Sequence, residues 1–203
     1  MKRSFCVISL LCLLCFPMGC HKQVEEMAGK GQNAAIIYGS RYGSTAQTAQ
    51  WIAEGMGGKA DVLAAKDAAN LDAYRYFILG SGIYYNNLHE DMPAFLKANK
   101  EAIKDRVIAV FIVSGTPPAE AQPYLDELVS KCEAQGPLTR AFWGWLKREL
   151  LSPEDLKGVE DFYVTIDQPF EDFDRTDKSA CLQFGKEILQ VISGSERGQK
   201  EVP

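Results

Sequence analysis

Seven successive residues after Arg106, Val107-Ile108-Ala109-Val110-Phe111-Ile112-Val113, are apolar with no polar residue between them. Side chains alternate between the two faces of a strand, so a half-exposed strand alternates in polarity, and an unbroken apolar run belongs to one covered on both sides. Sheets of that kind are parallel, and parallel neighbours need crossover connections long enough to hold a helix. Ala34-Ala35-Ile36-Ile37-Tyr38 has the same character and ends at Gly39. These two runs call for a layered α/β architecture.

The rest of the chain supplies the other parts. Ala60–Ala64, Tyr74–Leu79 and Leu138–Trp143 read as further strands, Arg106–Val113 being central. Ser44–Met56 repeats apolar residues at three- and four-residue spacings (Ala46, Ala49, Ile52, Met56) and stops at Gly57-Gly58, a helix pattern. A helix follows from Asp91, and another spans Pro118–Cys132 with Tyr124, Leu125, Leu128 and Val129 on one side. Ser152-Pro153-Glu154-Asp155 is a helix start, and Leu156, Val159, Phe162, Tyr163 and Ile166 continue it. Residues 161–166 alone could pass for a strand, but the period favours helix. A last helix, Thr176–Ile192, should bury Ala180, Phe184, Ile188 and Val191. Strands alternating with helices imply a doubly wound sheet with helices on both faces and right-handed crossovers.

With 203 residues, 46% hydrophobic and 24% charged, one globular domain over residues 33–193 is the expectation. The N-terminus differs in kind. Lys2-Arg3 precede an apolar run, Phe5–Phe16, broken only by Ser9 and ending at Pro17-Met18-Gly19-Cys20. This is a signal-peptide pattern over residues 1–19. About 12 residues at ~1.5 Å each fall well short of a ~30 Å hydrocarbon core, so the run is a poor permanent transmembrane helix. Gly19-Cys20 resembles the lipobox of bacterial lipoproteins, which implies a lipid on Cys20. Pro17 and Met18 stand where leucine and a small residue are usual. An exported, membrane-anchored lipoprotein on the periplasmic or cell-surface side is expected, with polar residues 20–32 as tether and 194–203 as polar tail. An ordinary cleaved signal, or a start at Met27 that would make the protein cytoplasmic, remain open.

Four of the six cysteines, Cys6, Cys12, Cys15 and Cys20, lie in the first twenty residues; Cys132 and Cys181 remain in the body, and each is expected as a free, buried thiol, a single bridge being the alternative. The formal net charge of −5 deepens by two units once Lys2 and Arg3 are removed. An acidic body argues against nucleic acid and against polybasic attachment to anionic lipid. No metal site is expected, and the oligomeric state is not readable.

In a doubly wound sheet, ligands sit beyond the carboxyl ends of the strands, so the loops after the first, third and fourth strands matter. The first is Gly39-Ser40-Arg41-Tyr42-Gly43-Ser44-Thr45. Free amides at a helix start, the positive end of its dipole and the hydroxyls of Ser40, Ser44 and Thr45 make a cradle for a phosphate dianion. No Gly-Lys-Ser/Thr follows and three spaced glycines are absent, so the pattern suits a mononucleotide. The second loop is Gly80-Ser81-Gly82-Ile83-Tyr84-Tyr85-Asn86, reaching His89, which is read as a helix-start or surface residue. The third is Ser114-Gly115-Thr116-Pro117-Pro118, held rigid by its prolines.

Ser40, Gly43 and Thr45 match the FMN phosphate loop of flavodoxins, which this segment resembles; Tyr42 departs from the family's threonine. The second loop is similar to the Gly-Ser-Pro-Ile-Tyr segment that flavodoxin relatives place against the isoalloxazine ring, and the third to the segment on the other side of the flavin. Ala141-Phe142-Trp143-Gly144-Trp145-Leu146 and Asp174-Arg175-Thr176-Asp177 look like the branch that includes the short bacterial menaquinone-dependent protoporphyrinogen oxidase. The resemblance covers residues 33–193. It implies a flavodoxin-like five-stranded parallel sheet of order 2-1-3-4-5, FMN as cofactor, and cofactor contacts at Ser40, Arg41, Tyr42, Gly43, Ser44, Thr45, Ser81, Gly82, Ile83, Tyr84, Tyr85, Asn86, Ser114, Gly115 and Thr116. The acidic body and stacked tyrosines would disfavour an anionic reduced flavin and lower its potential. An electron carrier at a membrane surface, working with a redox partner protein or a quinone, is the expected function. An FMN-dependent oxidoreductase of the protoporphyrinogen oxidase or quinone reductase type, and a flavin-free binding module, are the alternatives.

Overall fold

The computed structural model describes residues 34–198, without the side chains of 196–198. The signal peptide, Cys20, the tether, Met27 and the last five residues lie outside the described residues.

Five parallel strands form the sheet: β1 (Ala34–Gly39), β2 (Ala60–Ala64), β3 (Tyr76–Tyr84), β5 (Val107–Ser114) and β6 (Leu138–Trp143), in the order β2-β1-β3-β5-β6. Counting parallel strands alone, this is the expected 2-1-3-4-5. The unbroken apolar runs are covered on both sides. Ile36, Ile78 and Phe111 enter one core cluster, and their chain neighbours Ile37, Leu79 and Ile112 the other. All six are fully buried; each buried side chain of this size contributes roughly 1.5–3 kcal/mol.

Helices α1 (Ser44–Gly55) and α5 (Lys178–Gly198) cover the first face, α2 (Asp91–Ile103) and α3 (Gln122–Cys132) the second. Cys181 belongs to the first cluster and Cys132 to the second, so the sheet separates them and both are free and buried. Burial pushes the Cys181 thiol up to about 12 and raises that of Cys132.

Some boundaries differ from the sequence reading. The third strand starts at Tyr76 and runs on to Tyr84, because it continues into a hairpin with β4 (Asn87–Leu88). Pro118–Glu120 is a separate 3₁₀ turn ahead of α3. α5 extends to Gly198, through half of the expected polar tail; the hydroxyls of Ser193 and Ser195 return to the carbonyls of Leu189 and Val191 on its polar side. A small antiparallel pair, β7 (Trp145–Leu146) with β8 (Phe173–Asp174), was not foreseen. It brackets α4 (Pro153–Thr165), which starts as expected with the Ser152 hydroxyl accepting from the Asp155 amide at 3.1 Å. Its apolar residues are not core: Phe162 and Val164 are exposed, as is Ile166 just past its end, and among its residues only Asp155 is buried.

α1 and α5 meet backbone to backbone. A Cβ at Gly185 would lie 2.2 Å from the Ile52 carbonyl oxygen, and one at Gly55 2.3 Å from that of Leu182. Helix propensity favours alanine over glycine by ~1 kcal/mol, but moving two packed helices apart opens the core that Ile52 and Phe184 fill. Gly185→Ala should therefore lower the unfolding free energy by about 2 kcal/mol, seen in urea as a lower midpoint at an unchanged slope; a wild-type midpoint would show that the helices separate freely.

Candidate functional site

The three expected loops converge at the carboxyl end of the sheet, around a cleft of about 420 Å³. The first contributes Tyr42 and Ser44, the second Ile83, Tyr84, Tyr85 and Asn86, and the third Ser114, Gly115 and Thr116. The outer wall comes from Trp145, Leu146 and Phe173 of the small pair and from Asp155, Gly158, Val159, Phe162 and Tyr163 of α4. The poor burial of α4 follows from its position: its apolar side faces the cleft rather than the core.

The phosphate-type loop is built by the turn from β1 into α1. Gly43 sits at φ 91°, a left-handed conformation that L side chains resist, and precedes the helix without any side-chain cap. The first-turn amides of α1 are therefore open to an anion. Thr45, in that turn, is fully buried, and its hydroxyl has no hydrogen-bond partner. A buried hydroxyl normally finds one, so this orphan at an open helix start marks a place for a ligand oxygen. Ser40 is turned inward, its Oγ accepting from the Gly43 amide at 3.2 Å, and Ser44 faces the cleft.

Tyr42, where a threonine was looked for, leaves the cradle. Its phenol donates to Asp155 in a short hydrogen bond and accepts from the Ser152 amide at 3.2 Å, while its carbonyl accepts from the Trp145 indole at 2.9 Å. Arg41 turns the same way, with Nη1 donating to Asp155 Oδ2 at 2.9 Å and Nη2 to Glu90 Oε2 at 3.0 Å. Tyr85 completes the set by donating to Asp155 Oδ1 at 2.8 Å. One carboxylate of α4 thus takes donors from both the first and the second loop. Tyr85 and Asn86 form the two-residue turn between β3 and β4, both at positive φ (48° and 61°). A bulky residue there costs on the order of 1 kcal/mol, which the Asp155 hydrogen bond offsets.

The electrostatics follow the geometry. Burial opposes the charge of Asp155, yet the hydrogen bonds from Tyr42, Tyr85 and Arg41 outweigh it and hold its carboxyl below the usual range. The same bond, with burial second, lifts the Tyr85 phenol to about 12, and the Asp155 and Glu90 partners raise Arg41 further.

Other expected contacts are tied to partners within the fold. Ser81 is fully buried; its hydroxyl donates to the Gly82 carbonyl at 2.9 Å and accepts from the His89 amide at 3.0 Å, which braces the β3–β4 hairpin away from the cleft wall. Gly82 lies beneath the first loop, where a Cβ would meet Thr45 Oγ1 and the Tyr84 ring at 2.8 Å. Asn86 accepts from the Tyr124 hydroxyl at 3.0 Å. Ser114 folds back on its own loop, accepting from the Thr116 amide at 3.2 Å. His89 stands at the helix start but is buried, Nδ1 accepting from the Asp91 amide at 3.3 Å. The sequence reading did not find Asp155, Trp145, Phe173 or the cleft face of α4. Its one available signal was the apolar period of α4, which looks the same for a core helix.

The Asp155 contacts are the polar connection between α4 and the loops. Removing them with Asp155→Ala should cost about 2 kcal/mol of local stability. Hydrogen exchange at pH 7 would then show α4 amides opening roughly 30-fold faster, with β3 and β5 unchanged. Because the folded pKa of Asp155 lies below the unfolded value of about 3.9, this stability is fully present above that pH and is lost as pH falls through the folded value. For Tyr85 the shift is upward, so its share persists below about pH 10 and is lost as pH rises through about 12. Protection of α4, corrected for intrinsic rates, that falls steadily between pH 7 and 5 would contradict this role.

The fold has counterparts among known proteins. A flavodoxin structure from the domain Archaea matches with 18% identity and TM-score 0.51, covering 79% of this chain and 98% of that one. The flavodiiron core of Flv1 from Synechocystis sp. matches with 16% identity and TM-score 0.53, covering 86% of this chain but only 39% of that one. A short-chain flavodoxin associated with a non-canonical PDU bacterial microcompartment gives 10% identity and TM-score 0.50, covering 78% and 97%. At these identities the likeness is one of fold. No curated protein matches in sequence. The flavodoxin-domain profile, however, matches residues 35–153, more than half of the chain, from β1 through all three loops to the start of α4. By its sequence as well as its fold, the chain belongs to the flavodoxin-domain family.

Proposed function

We infer that this domain is an FMN-binding redox protein. The observation that carries the reading is the Thr45 hydroxyl, buried and unpartnered at the open start of α1, next in the chain to Ser44, which lines a cleft walled by three loops. A phosphate monoester fits the open amides and this hydroxyl. Ile83, Tyr85 and Trp145 offer apolar and aromatic surface for a planar ring system in the cleft. FMN, when bound there, supplies one- and two-electron chemistry. The chain's own work is to hold the phosphate, flank the ring and limit its access to water.

Within that reading, an electron carrier at a membrane surface is the proposed role. The lipobox-like Gly19-Cys20 and the polar residues 20–32 support a lipid anchor on Cys20, export after removal of residues 1–19, and a redox partner protein or a quinone as the other member of the exchange. A second reading is an oxidoreductase of the branch that includes menaquinone-dependent protoporphyrinogen oxidase. The apolar wall of Val159, Phe162 and Tyr163 favours it, being surface suited to a hydrophobic substrate beside the flavin. Reduced protein that turns over a quinone or a protoporphyrinogen with saturation supports the enzyme; slow, non-saturating reaction supports the carrier.

Purified protein mixed with FMN should acquire a bound-flavin absorption spectrum. Thr45→Ala should weaken FMN about 10-fold and leave riboflavin nearly unaffected, because the hydroxyl serves only the phosphate. Equal losses for both ligands would remove the phosphate role from this loop. Mass spectrometry of the mature protein should find a chain beginning at a lipid-bearing Cys20; an unmodified end, or a start at Met27, would refute the anchor.

A further inference from the structure

Tyr84 was expected to stack on the flavin ring, and its surroundings leave its ring little room to do so. The Arg41 guanidinium lies over one face, 5.2 Å from the ring centre, His89 meets it edge-on at 5.4 Å and Tyr42 tilts against it at 6.2 Å. The hydroxyl instead reaches the phosphate loop, where it accepts from the Arg41 amide at 2.8 Å and the Tyr42 amide at 3.4 Å. Both bonds use its lone pairs. Its own O–H has no acceptor among the described residues.

We propose that the Tyr84 hydroxyl is a phosphate ligand, supplying from the second loop the hydroxyl donor that Tyr42 does not supply from the first. The proposal rests on the FMN reading above. Tyr42 commits its phenol to Asp155, so it offers the cradle no hydroxyl donor. Tyr84 fills the gap with an O–H aimed by two amides and held by packing on three sides. Thr45 Oγ1 and the Tyr84 hydroxyl share one small space: a Cβ placed on Gly82 would be 2.8 Å from the former and 3.1 Å from the latter. Glycine at 82, having no Cβ, is what lets both hydroxyls border the cradle. An O–H donated to a phosphate dianion is charge-assisted and stronger than a neutral hydrogen bond. A different role for the same contact would be a plug, with the phenol occupying amides that phosphate must reclaim. The packing around the ring opposes such a displacement.

The test measures dissociation constants of FMN and riboflavin by quenching of flavin fluorescence, for the full chain and for Tyr84→Phe, which keeps the ring and removes one oxygen. The expected result is FMN binding weakened about 10-fold with riboflavin within twofold of wild type. Riboflavin binding also reports that the variant is folded. Unchanged FMN affinity overturns the proposal, and tighter FMN binding overturns it in favour of the plug. Loss of FMN and riboflavin affinity together, partial or complete, overturns it in favour of a ring contact or a structural role. Failure of the FMN reading itself looks different, because the wild-type chain then binds neither flavin. Gly82→Ala provides a second variant: it should lower FMN affinity with little effect on riboflavin, and an unchanged FMN affinity counts against the shared space.

Discussion

Burial on both faces of the central strands is the constraint on which the rest of the molecule depends. Once Ile78, Leu79, Phe111 and Ile112 are all removed from water, neither face of the sheet can be left open, and four helices have to be laid over it in two layers. Three of those helices lie in crossovers that leave the sheet from the carboxyl ends of strands, and the chain reaches the fourth from the carboxyl end of the last. Residues with no core role, such as those around Gly43, Tyr85 and Gly115, are collected at that one edge.

What the edge binds is shaped by how its polar groups are divided. Asp155 takes the phenols of Tyr42 and Tyr85 and the guanidinium of Arg41, so the side chains that look from sequence like ligands of the first loop are committed to holding α4 in place. The anion cradle is left to backbone amides, Thr45 and the Tyr84 hydroxyl. The tyrosine at position 42 is therefore a transfer of duty: its longer, aromatic side chain cannot fold into the turn as threonine would, and it reaches α4 instead. The same event closes the outer wall of the cleft and exposes the far side of α4.

The architecture was legible because it follows from local pattern. Unbroken apolar runs, three- and four-residue spacing and the Ser152-Pro153 start each fix an element through interactions within a few residues, and sheet order came from the family resemblance of the loops. The positions of the loops were legible too. The duties of individual side chains were less so. Ser81 and Tyr84 lie three residues apart in one loop, yet the first braces a hairpin and the second meets amides more than forty residues earlier in the chain. Asp155 reads as an ordinary first-turn acid, since nothing nearby in sequence announces donors more than one hundred residues away.

By itself the sequence determined the layered α/β class, the open helix start after β1 and the family, since these depend on periodicity, backbone donors and short motifs. Only the tertiary structure decided that α4 walls a cleft instead of filling a core, that Tyr42 serves Asp155 and that Tyr84 meets the phosphate loop. Those choices turn on hydrogen bonds between segments far apart along the chain, and such bonds are set by where the backbone brings donors and acceptors together.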